Sequence, residues 1–163
     1  MQNAEQILQA MRKMGEKRIP LRRAYRCLFS EDLFLAAYDK IARNRGALTK
    51  GTESDTVDGM SIGRIQRLIE LLRHERFRFH PARRIHIPKK SGGSRPLGIP
   101  NFSDKLVQEV VRQLLEAYYE PRFRENSHGF RPKRGCHTAL TSLQRNFKGA
   151  AWFIEGDIRG CFD

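Results

Sequence analysis

The chain has 163 residues, 39% hydrophobic and 30% charged, with 7 Pro and 13 Gly, which suits one packed domain or one lobe of an enzyme and excludes wholesale disorder. No run approaches the roughly 20 apolar residues of a membrane helix, and the opening MQNAEQILQAMRKMGEKR lacks a signal-peptide core. The net charge is +13, from 31 Lys and Arg against 18 Asp and Glu, so a polyanion is the expected partner and nucleic acid the first candidate.

The first 45 residues read as helical. Ala4 to Lys17 repeats Ile7, Leu8, Met11 and Met14 at helical spacing until Ile19-Pro20 interrupts it. Ser30 can cap a second helix, with Glu31 and Asp32 in its first turn and Phe34, Ala37, Tyr38 and Ile41 as its stripe. The polar stretch Asn44 to Gly59 has no periodicity and predicts a long loop, functional or mobile. A third helix is expected from about Ser61, with Ile62, Ile65, Ile69 and Leu72 on one face and Arg64, Arg67 and Arg73 on the others.

The segment Arg83 to Pro88 alternates like a strand, Lys89 to Arg95 turns tightly around Gly92-Gly93, and Leu97 to Pro100 returns, which predicts a hairpin with a basic tip. Ser103 can cap a helix running to Tyr119, before Pro121, with paired apolar residues from Leu106/Val107 to Tyr118/Tyr119. Asn126 to Cys136 is irregular and basic, and 137–147 predicts a short helix ended by Gly149. Trp152-Phe153-Ile154 predicts a buried strand that runs into Asp157. The expected class is α+β.

Charge is not spread evenly. Residues 64–95 carry ten basic and two acidic residues, a clustering that solubility does not require and a phosphate-tracking groove does. Arg64, Arg67, Arg83, Arg84 and Lys90 are the candidate RNA contacts. Lys89 and Arg95 can converge on a polyphosphate across a Gly turn, although a hairpin tip is also where solvated charges collect. Asp157 stands where a rigid strand end would present a metal ligand, or simply in a turn. Cys27, Cys136 and Cys161 have no CxxC spacing, which argues against a disulfide framework or a cysteine zinc site. His86, His128 and His137 are too scattered for a metal set, and a structural hydrogen bond is expected of His137. Tyr118 and Tyr119 read as core packing before base stacking.

Taken together, RRIHIPKKSGGSRPLGIPNFSDKLVQ, YYEPRFRENSHGFRPKRGCHTAL and WFIEGDIRGCFD closely resemble the fingers and first palm motif of group II intron-encoded reverse transcriptases, the maturases. Thr56-Val57-Asp58-Gly59 resembles that family's N-terminal extension motif, and the resemblance covers roughly residues 31–163. It implies a helical N-terminal extension over 1–63 with a long loop near 44–59, fingers over 64–151, and the first palm strand over 152–163. It also implies that Lys89 and Arg95 hold a dNTP, that Asp157 and the Ile158 carbonyl bind Mg²⁺ (or Mn²⁺), and that Phe162 excludes a ribose 2′-OH. Gly129 to Pro132 resembles the segment lying against template and nucleotide, with Arg131 the expected phosphate or stacking contact.

The implied partners are intron RNA, a template–primer duplex and dNTP, with no membrane and no self-association legible. The implied location is bacterial cytoplasm or an organelle, without secretion. Two-metal chemistry needs further carboxylates, which the family takes from a downstream Tyr-Ala-Asp-Asp-type hairpin absent from these 163 residues. The expectation is therefore a polymerase segment that does not polymerise by itself. The alternative is a non-catalytic RNA-binding module of maturase type. A DNA-binding protein is disfavoured, for want of zinc-finger spacing, basic zipper or recognition helix.

Overall fold

The computed structural model describes residues 3–90 and 92–158. They divide into two compact units, one ending at Arg122 and one beginning at Phe123. The boundary expected at 63/64 falls inside the first unit.

In the first unit, α1 (Ala4–Glu16) and α2 (Glu31–Ala42) pack on α4 (Phe102–Tyr119), the longest helix, while α3 (Ile62–Arg73) packs on α2 and on the 24–29 segment. Ile7 and Met11 of α1, Leu33, Phe34 and Ala37 of α2, Ile65, Leu68 and Leu72 of α3, and Leu106, Val110 and Leu114 of α4 form one buried cluster. Each apolar stripe thus supplies one face of a shared core. A 3-10 turn over Ala24–Phe29, not foreseen from the sequence, adds Leu28 to it. Ile62, expected on the buried face of α3, is 57% exposed, and Leu68 takes its place.

The helix ends have specific causes. Asn3 and Gln6 form a capping box on α1, and Ser30 and Ser61 accept from Leu33 N and Arg64 N to cap α2 and α3. α1 stops before Ile19-Pro20 in a paired motif: Arg18 N donates to Gly15 O and Ile19 N to Met14 O, with Arg18 at φ 54°. α3 ends the same way, through Glu75 N to Leu72 O and Arg76 N to Leu71 O, with Glu75 at φ 57°. These are Schellman closures with an ordinary side chain where glycine is favoured.

Ser103 does not cap α4. The helix starts two residues earlier than expected, at Phe102, and Asn101 takes the cap position without a side-chain cap bond. Asp55 supplies the missing acceptor from 48 residues away, receiving Ser103 N at 2.8 Å and Ser103 Oγ at 2.6 Å on one carboxylate oxygen. A carboxylate there suits the positive end of the helix dipole. The 44–59 stretch that carries Asp55 is irregular apart from a turn over Val57–Gly59, as expected. It is also fastened: Lys105 Nζ donates to the carbonyls of Gly46 and Thr49, each at 3.2 Å.

Strands β1 (Arg83–Pro88) and β2 (Ser94–Ile99) form an antiparallel pair, with Arg83 opposite Ile99 and Ile87 opposite Arg95. β2 begins three residues before the expected return, so Arg95 lies in the strand and not in the turn. Gly92 and Gly93, at φ 89° and 78°, make the turn, which Lys89 N to Gly93 O closes at 3.0 Å.

The second unit holds an irregular loop followed by α5 (Cys136–Asn146), with Phe147 at its C-cap and Gly149 two residues beyond. Thr138 Oγ1 organises the junction, bonding Gly135 N at 2.9 Å and Gly135 O at 2.8 Å and lying 2.9 Å from His128 Nδ1. The structural contact expected of His137 is made in this unit by His128. The expected strand at Trp152-Phe153-Ile154 is not formed. Residues 151–158 have no regular structure, and the three side chains are 91%, 78% and 100% exposed. A strand needs neighbours to satisfy its backbone, and none is present among the described residues. No helix among them is long and apolar enough to cross a membrane.

Candidate nucleotide and RNA interface

The β1–β2 hairpin carries five of the predicted cations. Arg83, Arg84, Lys89, Lys90 and Arg95 are all exposed. Strand alternation sorts them. Arg95, paired with Ile87, shares the face of Ile85 and Leu97, whereas Arg84 and His86 lie on the opposite face with Pro96. Lys89 directly follows β1, so it and Arg95 flank the Gly92-Gly93 turn from its two strands. A flexible ammonium and a planar guanidinium beside two glycines suit a compact polyanion.

Two of the RNA contacts predicted in the 64–95 stretch have partners inside the protein. Arg64 pairs with Asp55 at 2.9 Å, donates to Gly59 O at 2.9 Å and reaches Ser103 Oγ at 3.3 Å. Arg83 donates through Nε and Nη2 to the Lys50 carbonyl, at 3.1 and 2.9 Å. Arg67, on α3 between the buried Ile65 and Leu68, is exposed.

In the second unit, Arg131 donates to the carbonyls of Arg124 and Ser127, at 2.9 and 2.7 Å, with its guanidinium 5.1 Å from the Phe123 ring. It shapes its own loop. The neighbouring Phe130 sits at φ 55° with its ring fully in solvent. An aromatic held in the left-handed region and offered to water is a feature that sequence patterning did not single out. Asp157 and Ile158 lie in the irregular 151–158 segment, both exposed. Phe162 lies outside the described residues.

The metal expectation can be tested against these positions. Among the described residues no three His, Cys, Asp or Glu side chains come together as a cation site. Asp157 with the Ile158 carbonyl is thus an incomplete ligand set, and the described residues by themselves do not fit a bound divalent ion.

Sequence patterning also missed the buried polar groups around the start of α4. Asp55, Asn101 and Asp104 are 9%, 1% and 0% exposed. His80 meets Asp104, donating from its backbone N to Oδ2 at 3.1 Å and placing Nδ1 3.3 Å from Oδ1. Two Asp side chains beside a helix start were the available signal, but their partners are 24 and 48 residues apart in the chain.

Residues 87–163 match the family model described as reverse transcriptase (RNA-dependent DNA polymerase). Over 160 residues the chain is 48% identical to the group II intron-encoded protein LtrA of Lactococcus lactis subsp. cremoris, which covers 96% of this chain and 27% of that protein. The chain belongs to the group II intron-encoded reverse transcriptase family. It is also 56% identical over 136 residues to the uncharacterized 91 kDa protein in cob intron of Schizosaccharomyces pombe, covering 83% of this chain and 17% of that protein. A shorter match of 64 residues, at 44% identity, links it to the nuclear intron maturase 1, mitochondrial, of Arabidopsis thaliana, over 39% of this chain and 9% of that protein. This member of the family therefore spans about a quarter or less of the length of these relatives. The family match covers the hairpin tip, α4 and the 151–158 segment; the Asp55 loop lies upstream of it.

Proposed function

We propose that this chain is the N-terminal part of an RNA-directed DNA polymerase of group II intron type, which binds intron RNA, a template–primer duplex and the incoming dNTP. The observation that carries the reading is the hairpin tip, where Lys89 and Arg95 flank a two-glycine turn inside the region that matches the reverse transcriptase model. Lys89 and Arg95 hold the triphosphate, while Arg67, Arg84 and Lys90 meet RNA phosphates. Arg64 and Arg83 serve RNA binding indirectly, by shaping the surface that presents the others. Arg131 orders the 124–134 loop, and Phe130 offers its ring for stacking on a template base.

Asp157 and the Ile158 carbonyl contribute to a Mg²⁺ site, with Mn²⁺ as substitute, that other carboxylates of the polymerase complete. The ion, when bound, supplies charge neutralisation for phosphoryl transfer. Phe162 is the proposed gate against ribonucleotides. A maturase role follows the same basic surface, and binding without catalysis is the second reading.

Primer extension by the full-length protein separates the two. Asp157→Ala is expected to abolish DNA synthesis and leave RNA retention on a filter unchanged. Continued extension would make the binding module the better reading. Phe162→Ala is expected to keep synthesis and admit rNTPs.

A further inference from the structure

A two-stranded hairpin is marginal by itself, and both strands here are largely exposed, so something else must fix the direction in which its tip projects. The roots of both strands converge on the start of α4. β2 ends at Ile99, with only Pro100 and Asn101 before α4 begins at Phe102. The approach to β1 is bonded there too, by His80 N on the Asp104 carboxylate at 3.1 Å.

Residues 50–55 close the triangle. On the α4 side, Asp55 holds Ser103, and the buried Asn101 Oδ1 accepts Glu53 N at 3.1 Å and lies 3.3 Å from Thr52 Oγ1. Gly51 permits this approach, because a Cβ there would lie 2.1 Å from Asn101 Oδ1 and 2.7 Å from Asn101 N. On the hairpin side, Thr52 Oγ1 donates to Pro81 O at 3.1 Å, and Arg83 grips the Lys50 carbonyl.

We propose that residues 50–55 are a strap that positions the hairpin, and that Asp55, Asn101 and Arg83 are positioning residues for the nucleotide held by Lys89 and Arg95. The inference rests on the triphosphate reading of the hairpin. Leverage gives it force. Six residues of strand reach about 20 Å, so a tilt of about 5° at the root moves the tip by about 2 Å. Errors of that size are costly where charges must meet a reacting phosphate.

The test uses the full-length polymerase with dNTP as the varied substrate, beside hydrogen exchange on the 163-residue chain. Asp55→Asn, Ser103→Ala and Arg83→Met are each expected to raise the dNTP KM about ten-fold with kcat changed less than two-fold. Ser103→Thr, which keeps the hydroxyl, should retain the native KM. In the chain itself the β1 and β2 amides should exchange faster while those of α1 and α2 do not. Arg83→Met removes the Arg83–Lys50 link between strap and hairpin and spares the cap of α4, so it carries the test if Asp55→Asn does not fold.

Arg95→Ala is the reference. If it raises KM and the strap variants do not, the strap proposal is wrong and the triphosphate reading stands. If Arg95→Ala leaves KM unchanged, the triphosphate reading fails and takes the proposal with it. Parallel losses of kcat and thermal stability in all strap variants would reduce the strap to ordinary scaffolding and overturn it too.

Discussion

Gly15 is where a single hydrogen atom decides how two helices meet. A Cβ added there would stand 2.0 Å from the carbonyl oxygen of Tyr118, on backbone that cannot swing aside. Gly15→Ala should therefore destabilise the chain by about 1–3 kcal/mol, the usual cost of overpacking, despite the better helix propensity of alanine. Urea unfolding would show it as a lower midpoint at unchanged slope. Tyr118 is fixed from both ends: its hydroxyl donates to Ile19 O at 2.7 Å and accepts from Arg122 at 2.7 Å. It is core, as its spacing predicts, whereas Tyr119 is 43% exposed. Lys89 and Arg95 belong to the same scale. Under the proposed function, alanine at either should raise the dNTP KM more than it weakens template binding. One lost charge-assisted contact costs about 1.5–3 kcal/mol. Equal losses in both would make the hairpin a general RNA-binding patch.

At the scale of the element, the ends and faces of helices carry testable energies. Glu75 closes α3 in the left-handed region. Glycine there would shed the Cβ clash, worth about 1–2 kcal/mol, and incur part of that back as chain entropy. Glu75→Gly should accordingly raise thermal stability by a net of about 0.5–1 kcal/mol. On α4, Glu109 accepts from Arg112 at 2.7 and 2.8 Å and from Gln113 at 3.2 Å, and faces Lys40 of α2 at 3.3 Å. Burial alone would raise its carboxyl pKa, but the bonds from Arg112 and Gln113 and the charges of Arg112 and Lys40 outweigh it and hold the pKa below the ordinary glutamate value. A depressed carboxylate stabilises the fold above its unfolded pKa and loses that contribution as pH falls through the folded one. Stability should thus decline on acidification below about pH 4.5, and Glu109→Gln should flatten that limb. Melting curves across pH 3–6 for both proteins compare the two slopes.

The whole molecule is a charge distribution carried on a helical scaffold. The net charge of +13 predicts RNA affinity that falls steeply with salt, because each neutralised phosphate releases condensed counterions. Replacing Arg67, Arg84 and Lys90 together should make the log–log salt slope shallower by about 2, at about 0.7 per phosphate on single-stranded RNA. Filter binding at several salt concentrations reads the slope directly. A slope that is flat in the parent chain would remove the electrostatic account altogether. Arg64 and Arg83 sit in the same charged stretch with carbonyl and carboxylate partners of their own. Composition counts them as available charge, and the fold employs them as fasteners.

The five α-helices among the described residues, most of the buried stripe of the first unit, and the hairpin with its basic tip are legible in the sequence, because each is dictated by residues a few positions apart. Ser30 and Ser61 start their helices, Pro88 ends β1, and Ile7, Phe34, Ile65 and Val110 are buried where their spacing places them. The resemblance to the intron-encoded family was legible for the same reason, since its motifs are contiguous. Other features depend on partners that local periodicity cannot see. Asp55 caps α4 only because the loop returns across 48 residues, which converts a stretch expected to be functional or mobile into a strap. Trp152, Phe153 and Ile154 have the composition of a strand, but a strand is defined by its neighbour, and among the described residues they remain in solvent. Arg64 and Arg83 are the clearest instance: their charge is a property of the sequence, but whether that charge meets a phosphate or a carbonyl is decided by what the tertiary fold brings within 3 Å.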